Sequence, residues 1–153
     1  MRNKRKRRIA VFDASTDECD ATAAAVREYY GEDTVQVDKF TNMKKFVEAF
    51  DLLDYIGDGF DVVFLALDGM LGVEAGRNIR EINLRFPLFC VSRNYDYGME
   101  SHRLYAMNYL IKPVSAMNVG ESEQRIQWEI ISNEQFRKSV EASRIKQPGT
   151  SPA

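Results

Sequence analysis

Five short apolar runs, each followed by a helix-forming segment, constrain the fold of this chain more than any other feature. The most apolar run, at residues 60–67, is almost unbroken, which indicates burial on both faces of a parallel sheet. The predicted strands are residues 8–12, 34–40, 60–67, 88–92 and 107–111. Strands that alternate with helices in this way predict an α/β fold, a doubly wound five-stranded parallel sheet with helices on both faces.

The predicted helices begin soon after the strands end. Ser15 and Glu18 have the spacing of a capping box, and Thr41 is placed to cap the second helix. The later helices are predicted at residues 72–85, 95–104 and 115–145, and the last would span roughly 46 Å at about 1.5 Å per residue. Because this exceeds what one domain covers, we expect a main domain at residues 8–131, then a helical extension and disordered tail at 132–153.

The size and composition of the chain favour a single soluble domain. A length of 153 residues is enough to bury a core without disulfides or metals. No apolar stretch approaches the roughly 20 residues that cross a bilayer, and the first apolar run is too short for a signal peptide. Cys19 and Cys90 lack metal-ligand spacing and are expected to be reduced. We therefore expect a cytoplasmic protein with no membrane partner.

The charge is unevenly distributed along the chain. Six of the 21 basic residues lie within positions 2–8, so the rest of the chain carries 15 basic against 23 acidic side chains. Residues 1–7 are predicted to form a basic N-terminal arm. A short leader of this kind is typical of a solvated terminus, and nucleic-acid binding from Arg2 to Arg8 is the alternative.

Polar residues end three of the predicted strands. Asp13, Ser92 and Lys112-Pro113 all follow apolar runs, and in a doubly wound sheet such strand ends meet at the ligand-binding edge. A lysine and a hydroxyl that end neighbouring strands can point at one phosphate-sized spot. The expected third member, a carboxylate at the end of the third strand, is replaced by Ala66.

These residues carry a resemblance to the receiver domain of two-component response regulators. The specific part is the run that closes at Ser92, the following Tyr95-Asp96-Tyr97, and the run that ends at Lys112-Pro113. It is most similar to receivers that precede LytTR-type DNA-binding domains. The resemblance implies a flavodoxin-like, CheY-like fold and a role in phosphorelay signal transduction.

The same resemblance implies that the phosphorylation site is degenerate. A working receiver has two acids after the first strand and a phosphate-accepting aspartate at the end of the third, which together hold Mg²⁺. Here the second acid is Ala14 and the acceptor position is Ala66. The loop after the third strand is also shorter than the family pattern and lacks its usual proline. We therefore expect a pseudo-receiver that is not an enzyme and has no resident cofactor.

Asp68 is the alternative acceptor, because it lies two positions beyond Ala66 and would point to the same side if the strand continued. In that case weak Mg²⁺ binding at Asp13 and Asp68 would be expected. Against it, an aspartate followed by glycine is typical of a turn. A buried ammonium needs a partner, so we expect Lys112 to pair with Asp13, or with Asp68.

Ser92, Tyr97, Lys112 and Pro113 are interpreted as remnants of the phosphate site and its switch. Without a phosphoryl group we expect one fixed conformation. The resemblance implies that a protein partner binds the surface of the fourth helix, fifth strand and fifth helix. A histidine kinase, an effector domain or a second receiver would fit, and a homodimer stays open. The alternatives are a receiver phosphorylated on Asp68 with Mg²⁺, and a nucleic-acid-associated regulator.

Overall fold

The chain forms one five-stranded parallel sheet with the order β2-β1-β3-β4-β5, in a computed structural model that describes residues 6–146. The strands are β1 (Arg7–Phe12), β2 (Val35–Phe40), β3 (Val62–Ala66), β4 (Leu88–Ser92) and β5 (Asn108–Ile111). The helices are α1 (Thr16–Tyr30), α2 (Met43–Ile56), α3 (Leu71–Ile82), α4 (Gly98–Arg103) and α5 (Ala116–Lys146). The predicted doubly wound fold with a long last helix is confirmed.

The strand order reverses between β1 and β3, because the chain first adds β2 on one side of β1 and then β3 on the other. In sheets of this kind, ligands bind beyond the carboxyl ends of the strands at such a reversal. Phe12, Ala66 and Ser92 are the last residues of β1, β3 and β4. The residues that follow them are therefore the ones to inspect.

The core on one side of the sheet is aromatic, and it fixes the end of β3 closely. Phe12 stacks on Phe46 of α2, and all five residues of β3 are buried. A Cβ atom on Gly72 would lie only 1.7 Å from the carbonyl oxygen of Ala66. Since no side chain fits there, Gly72 allows α3 to approach the strand end directly. The close approach of α3 to the end of β3 therefore restricts the loop between them.

Three helix boundaries differ from the sequence prediction, two of them because of a local side-chain hydrogen bond. Asn42, and not Thr41, caps α2 by accepting a hydrogen bond from the Lys45 N–H at 2.9 Å. The predicted fourth helix loses its first turn, because the Asn94 side chain accepts from the Asp96 N–H and forms a turn there. Helix α3 ends at Ile82, three residues early.

Strand β1 begins at Arg7, one residue before the predicted start of the first strand, and the predicted basic arm at residues 1–7 stays a prediction. Arg8 pairs with Asp38 at 3.1 Å and lies 5.1 Å above the ring centre of Phe60. Its guanidinium is therefore engaged within the fold, and nucleic-acid binding from the Arg2–Arg8 segment stays a prediction. Residues 1–5 of the predicted arm, and the predicted disordered tail at 147–153, lie outside the described residues.

By compactness the chain divides after Ser122 into a unit that holds the sheet and a second unit, residues 123 onward, that contains the rest of α5. The separate boundary predicted at residue 131 stays a prediction. None of the described helices combines the length and apolar character needed to span a membrane.

Arg80 ties the end of α3 to the loop before β4 and to the loop before β5. Its guanidinium donates hydrogen bonds to four backbone carbonyls, those of Leu104 at 2.6 Å, Phe86 at 2.7 Å, Tyr105 at 3.2 Å and Asn83 at 3.3 Å. Burial, which is the main cause, lowers the pKa of Arg80. Only the planar fork of an arginine reaches so many acceptors from one position.

We predict that Arg80→Lys lowers the free energy of unfolding by about 1–3 kcal/mol, because a lysine leaves several of these carbonyls without a donor. The measurement is urea denaturation followed by circular dichroism. Arg77→Lys, on the exposed face of the same helix, is the matched control and should change stability by less than about 0.5 kcal/mol. Equal effects of the two substitutions would contradict this role for Arg80.

Candidate functional site

The polar residues that end the strands meet at one edge of the sheet, around the ammonium of Lys112. The Lys112 Nζ lies 2.7 Å from Asp13 Oδ2 and 2.8 Å from Asp68 Oδ2. Only 7% of the lysine side chain and 5% of the Asp13 side chain are exposed. The ion pair predicted between Asp13 and Lys112 is therefore present, and Asp68 is a second partner of the same ammonium.

Asp68 uses both of its carboxylate oxygens. Oδ1 accepts hydrogen bonds from the Ser92 hydroxyl at 2.7 Å and from the Arg93 N–H at 3.2 Å, while Oδ2 accepts from Lys112. Strand β3 ends at Ala66, so Asp68 reaches this position from a turn and not from a continued strand. Its side chain thus joins the ends of β4 and β5.

The turn after Asp68 has an unusual backbone. Gly69 and Met70 both have φ in the left-handed region, at 77° and 69°. Proline, whose φ is held near −65°, would not fit at Met70. A methionine at such a φ is strained, and the loop is held in place by α3 on one side and Asp68 on the other.

Glu18 and Arg93 complete the site, and sequence reasoning did not assign them to it. Arg93 binds the Glu18 carboxylate through two N–H donors, both at 2.7 Å, and Glu18 Oε2 lies 3.5 Å from Lys112 Nζ. Ser15 caps α1 as predicted, but the Glu18 carboxylate faces Arg93. The only available sequence signal was that Glu18 lies in the first turn of α1, five residues after Asp13. With Lys112 and Pro113, the pair lines a cleft of about 250 Å³.

The contacts shift the pKa values of the central groups. Burial alone would raise the pKa of Asp68, but hydrogen bonds from Lys112 and Ser92 lower it below its ordinary 3.8. Burial would likewise lower the pKa of Lys112, yet the carboxylates of Asp13 and Asp68 raise it above 10.5. The hydrogen bonds from Arg93 lower the pKa of Glu18. Asp68, Lys112 and Glu18 are therefore charged at neutral pH.

The predicted switch aromatic, Tyr97, is half-buried and tied to the loop after β3. Its hydroxyl accepts a hydrogen bond from the Gly69 N–H at 3.0 Å. Tyr109, which was not singled out for the site, donates its hydroxyl to the Asn94 carbonyl at 2.5 Å and accepts from the Tyr97 N–H at 3.3 Å. The hydrogen bond between Gly69 and Tyr97 connects the loops before α3 and α4. Pro113 is exposed and follows Lys112 through a cis peptide bond.

The residues at this edge do not fit a Mg²⁺ ion. Ala14 and Ala66 supply no oxygen side chain, and the ammonium of Lys112 contacts the carboxylates of both Asp13 and Asp68. A divalent cation next to that ammonium would be repelled by it. Within residues 6–146, no group of three or more histidine, cysteine, aspartate or glutamate side chains is arranged to hold a metal. The Mg²⁺ alternative at Asp13 and Asp68 is therefore not supported by this geometry.

We predict that Lys112→Met destabilises the fold by about 3–5 kcal/mol at neutral pH, because it leaves buried carboxylates without a cation. Those carboxylates would then bind protons more readily in the folded state, so the loss relative to wild type should shrink as pH falls from 7 towards 4. The measurement is urea denaturation across that pH range. In wild type, the contribution of Asp68 is present above about pH 3.8 and is lost as pH falls through its lowered pKa.

The control is Lys39→Met, which removes the exposed ion pair with Asp20 at 2.8 Å. Such a surface pair contributes about 0–1 kcal/mol, so this variant should differ little from wild type at any pH. A Lys112→Met deficit that does not change with pH would show that packing, and not charge, accounts for the role of Lys112.

Comparison with known proteins supports the same fold. No protein-family model and no curated protein matches the sequence. The structure is similar to a CheY-like response regulator receiver domain protein from Methanospirillum hungatei, with a TM-score of 0.64 and 17% identity over 86% of this chain and 98% of that chain. A receiver domain of a histidine kinase from Clostridium thermocellum gives 0.61 and 18%, over 76% and 94% of the two chains. The chemotaxis protein CheY4 of Vibrio cholerae gives 0.60 and 15%, over 78% and 98%. At these identities the likeness is one of fold: the chain has the fold of response regulator receiver domains.

Proposed function

We propose that this protein is an atypical receiver domain in phosphorelay signal transduction, one that is not phosphorylated and acts through protein contacts. The observation that carries the proposal is that both carboxylate oxygens of Asp68 already accept hydrogen bonds. The acceptor position at the end of β3 is Ala66, and the nearest alternative carboxylate already holds Ser92, Arg93 and Lys112. Within the family we place the chain nearest to the receivers that precede LytTR-type domains, and we place it in the cytoplasm.

The chemistry of phosphoryl transfer supports this proposal. A carboxylate that accepts a phosphoryl group needs a free oxygen for attack and nearby cations that neutralise the transferred charge. Both oxygens of Asp68 accept hydrogen bonds, and the ammonium that would meet the phosphoryl group is paired with Asp13 and Asp68. Asp68 is therefore better suited to hold the site together than to react. In this proposal the chain is not an enzyme and has no resident cofactor.

The surface around α4 supports a role in protein contact. Tyr95, Met99 and Tyr105 are 72%, 63% and 69% exposed, and together they place large apolar side chains on and beside this short helix. Contiguous exposed apolar surface is typical of sites where another protein docks, and we propose that these three side chains contribute to such a surface. A histidine kinase, an effector domain or a second receiver, including a second copy of this chain, are the partner classes that we propose for the α4, β5 and α5 surface.

We predict that the wild-type protein acquires no phosphoryl group when it is incubated with Mg²⁺ and acetyl phosphate. Both oxygens of Asp68 are engaged by hydrogen bonds, and Ala14 and Ala66 supply no Mg²⁺ ligand. Intact-protein mass spectrometry makes the measurement, with a phosphorylatable receiver domain treated in parallel to show that the donor is active. A phosphoryl adduct mapped to Asp68 would overturn the proposal.

We also predict that Ala66→Asp alone stays unphosphorylated under the same conditions. The substitution supplies an acid at the acceptor position, but Ala14 still provides no second metal ligand. Lys112 also stays engaged by Asp13 and Asp68. The matched control is Ala66→Asn, which has nearly the same size without the charge and reports whether the buried position tolerates a polar side chain. Phosphorylation of a folded Ala66→Asp protein would show that one acid is enough to restore the reaction.

A further inference from the structure

We propose that Asp68 is a built-in ligand, a carboxylate of this chain that permanently occupies an oxyanion site formed by Ser92, Arg93 and Lys112. The consequence is that the edge of the sheet is held in one ligand-bound conformation without any external anion. This inference rests on the proposed function, because it concerns the regulation of the same site. It is tested by anion binding and amide exchange, and not by phosphorylation.

Three different donors converge on the one carboxylate. They are the hydroxyl of Ser92 at 2.7 Å, the backbone N–H of Arg93 at 3.2 Å and the ammonium of Lys112 at 2.8 Å. The Ser92 hydroxyl oxygen also accepts a hydrogen bond from the Asn94 N–H at 3.5 Å. Its own proton is therefore available to donate to Asp68. A hydroxyl, an amide and an ammonium directed at one carboxylate form charge-assisted hydrogen bonds, which are stronger than those between neutral groups.

The contacts of Asp68 are not those of an ordinary turn aspartate. Such a residue normally accepts a hydrogen bond from its own backbone about two residues further on. The partners of Asp68 are instead 24, 25 and 44 residues away in the chain, at the ends of β4 and β5. The turn therefore presents the carboxylate to a distant donor set, as a tethered ligand would be presented.

The position of Asp68 is coupled to the aromatic side chains beside the site. The next residue, Gly69, donates its N–H to the hydroxyl of Tyr97 at 3.0 Å. The Tyr97 N–H donates in turn to the hydroxyl of Tyr109. Without the Asp68 carboxylate, the adjacent Gly69 would no longer be held beside Tyr97. The hydrogen bond that connects the loop before α3 with the segment before α4 would then be lost.

A tethered ligand competes strongly with free ones. Groups held on the same chain by a short linker have effective concentrations in the millimolar range or above, so a weak external oxyanion cannot displace them. The wild-type site should therefore not bind inorganic phosphate. A chain without the carboxylate should expose the donors, and a small oxyanion should then bind to them.

The experiment compares wild type with Asp68→Ala and with Asp17→Ala, which removes one negative charge from an exposed position near Glu18. Inorganic phosphate is titrated into each ¹⁵N-labelled protein, and the amide shifts of Ser92 and Arg93 are followed by NMR. We expect saturable shifts with a millimolar Kd for Asp68→Ala and no saturable shifts for wild type or Asp17→Ala. Adding Ser92→Ala to Asp68→Ala should weaken phosphate binding. Asp68→Ser replaces Asp68→Ala if the latter does not fold.

Hydrogen exchange at the Gly69 amide is the second readout. Without Asp68 the amide should exchange about tenfold faster, and saturating phosphate should restore its protection. The inference is overturned if folded Asp68→Ala does not bind phosphate, if wild type binds it as tightly, or if Gly69 exchange is unchanged. Phosphorylation of wild type would sink the proposed function by a different measurement, so the two failures can be told apart.

Discussion

The ammonium of Lys112 is the charge on which the carboxyl edge of this sheet depends. It is nearly excluded from water, and such a cation is stable only when anions surround it. Asp13 after β1, Asp68 after β3 and Glu18 on α1 lie within 3.5 Å of its Nζ. One side chain at the end of β5 thus joins elements that are far apart in the chain. The parallel arrangement makes this reach possible, because the strand ends lie side by side.

The central strands β3 and β4 were predictable because their burial on both faces leaves a continuous apolar run in the sequence, whereas the edge strand β2 was predictable from alternation. The contact between Asp13 and Lys112 was predictable too, since both residues directly follow strands of one sheet. The pair of Glu18 and Arg93 was not, because Glu18 does not directly follow a strand and the reach of two long side chains is decided by tertiary structure. Residues 95–97 illustrate the same limit locally: a helical pattern was overridden by one side-chain hydrogen bond at Asn94.

The loop after β3 shows how backbone geometry changes the meaning of a residue. From the sequence, Asp68 was compatible with a turn residue or with a displaced acceptor, and periodicity could not separate the two. Two consecutive left-handed residues, Gly69 and Met70, bend the chain immediately after it. Gly72 then brings α3 against the end of the strand. Such φ values cannot be read from a pattern of apolar and polar residues, least of all at a methionine.

The electrostatic field of this edge has a consequence for approach from solution. Asp13, Glu18 and Asp68 are three carboxylates, and Arg93 and Lys112 are two cations, so the five groups together carry one net negative charge. A phosphodonor is itself an anion, and a site whose charges nearly balance gives it no electrostatic guidance during diffusional encounter. The carboxylates and cations of this cluster are paired with one another, so little of their field is left to steer a small molecule from solution.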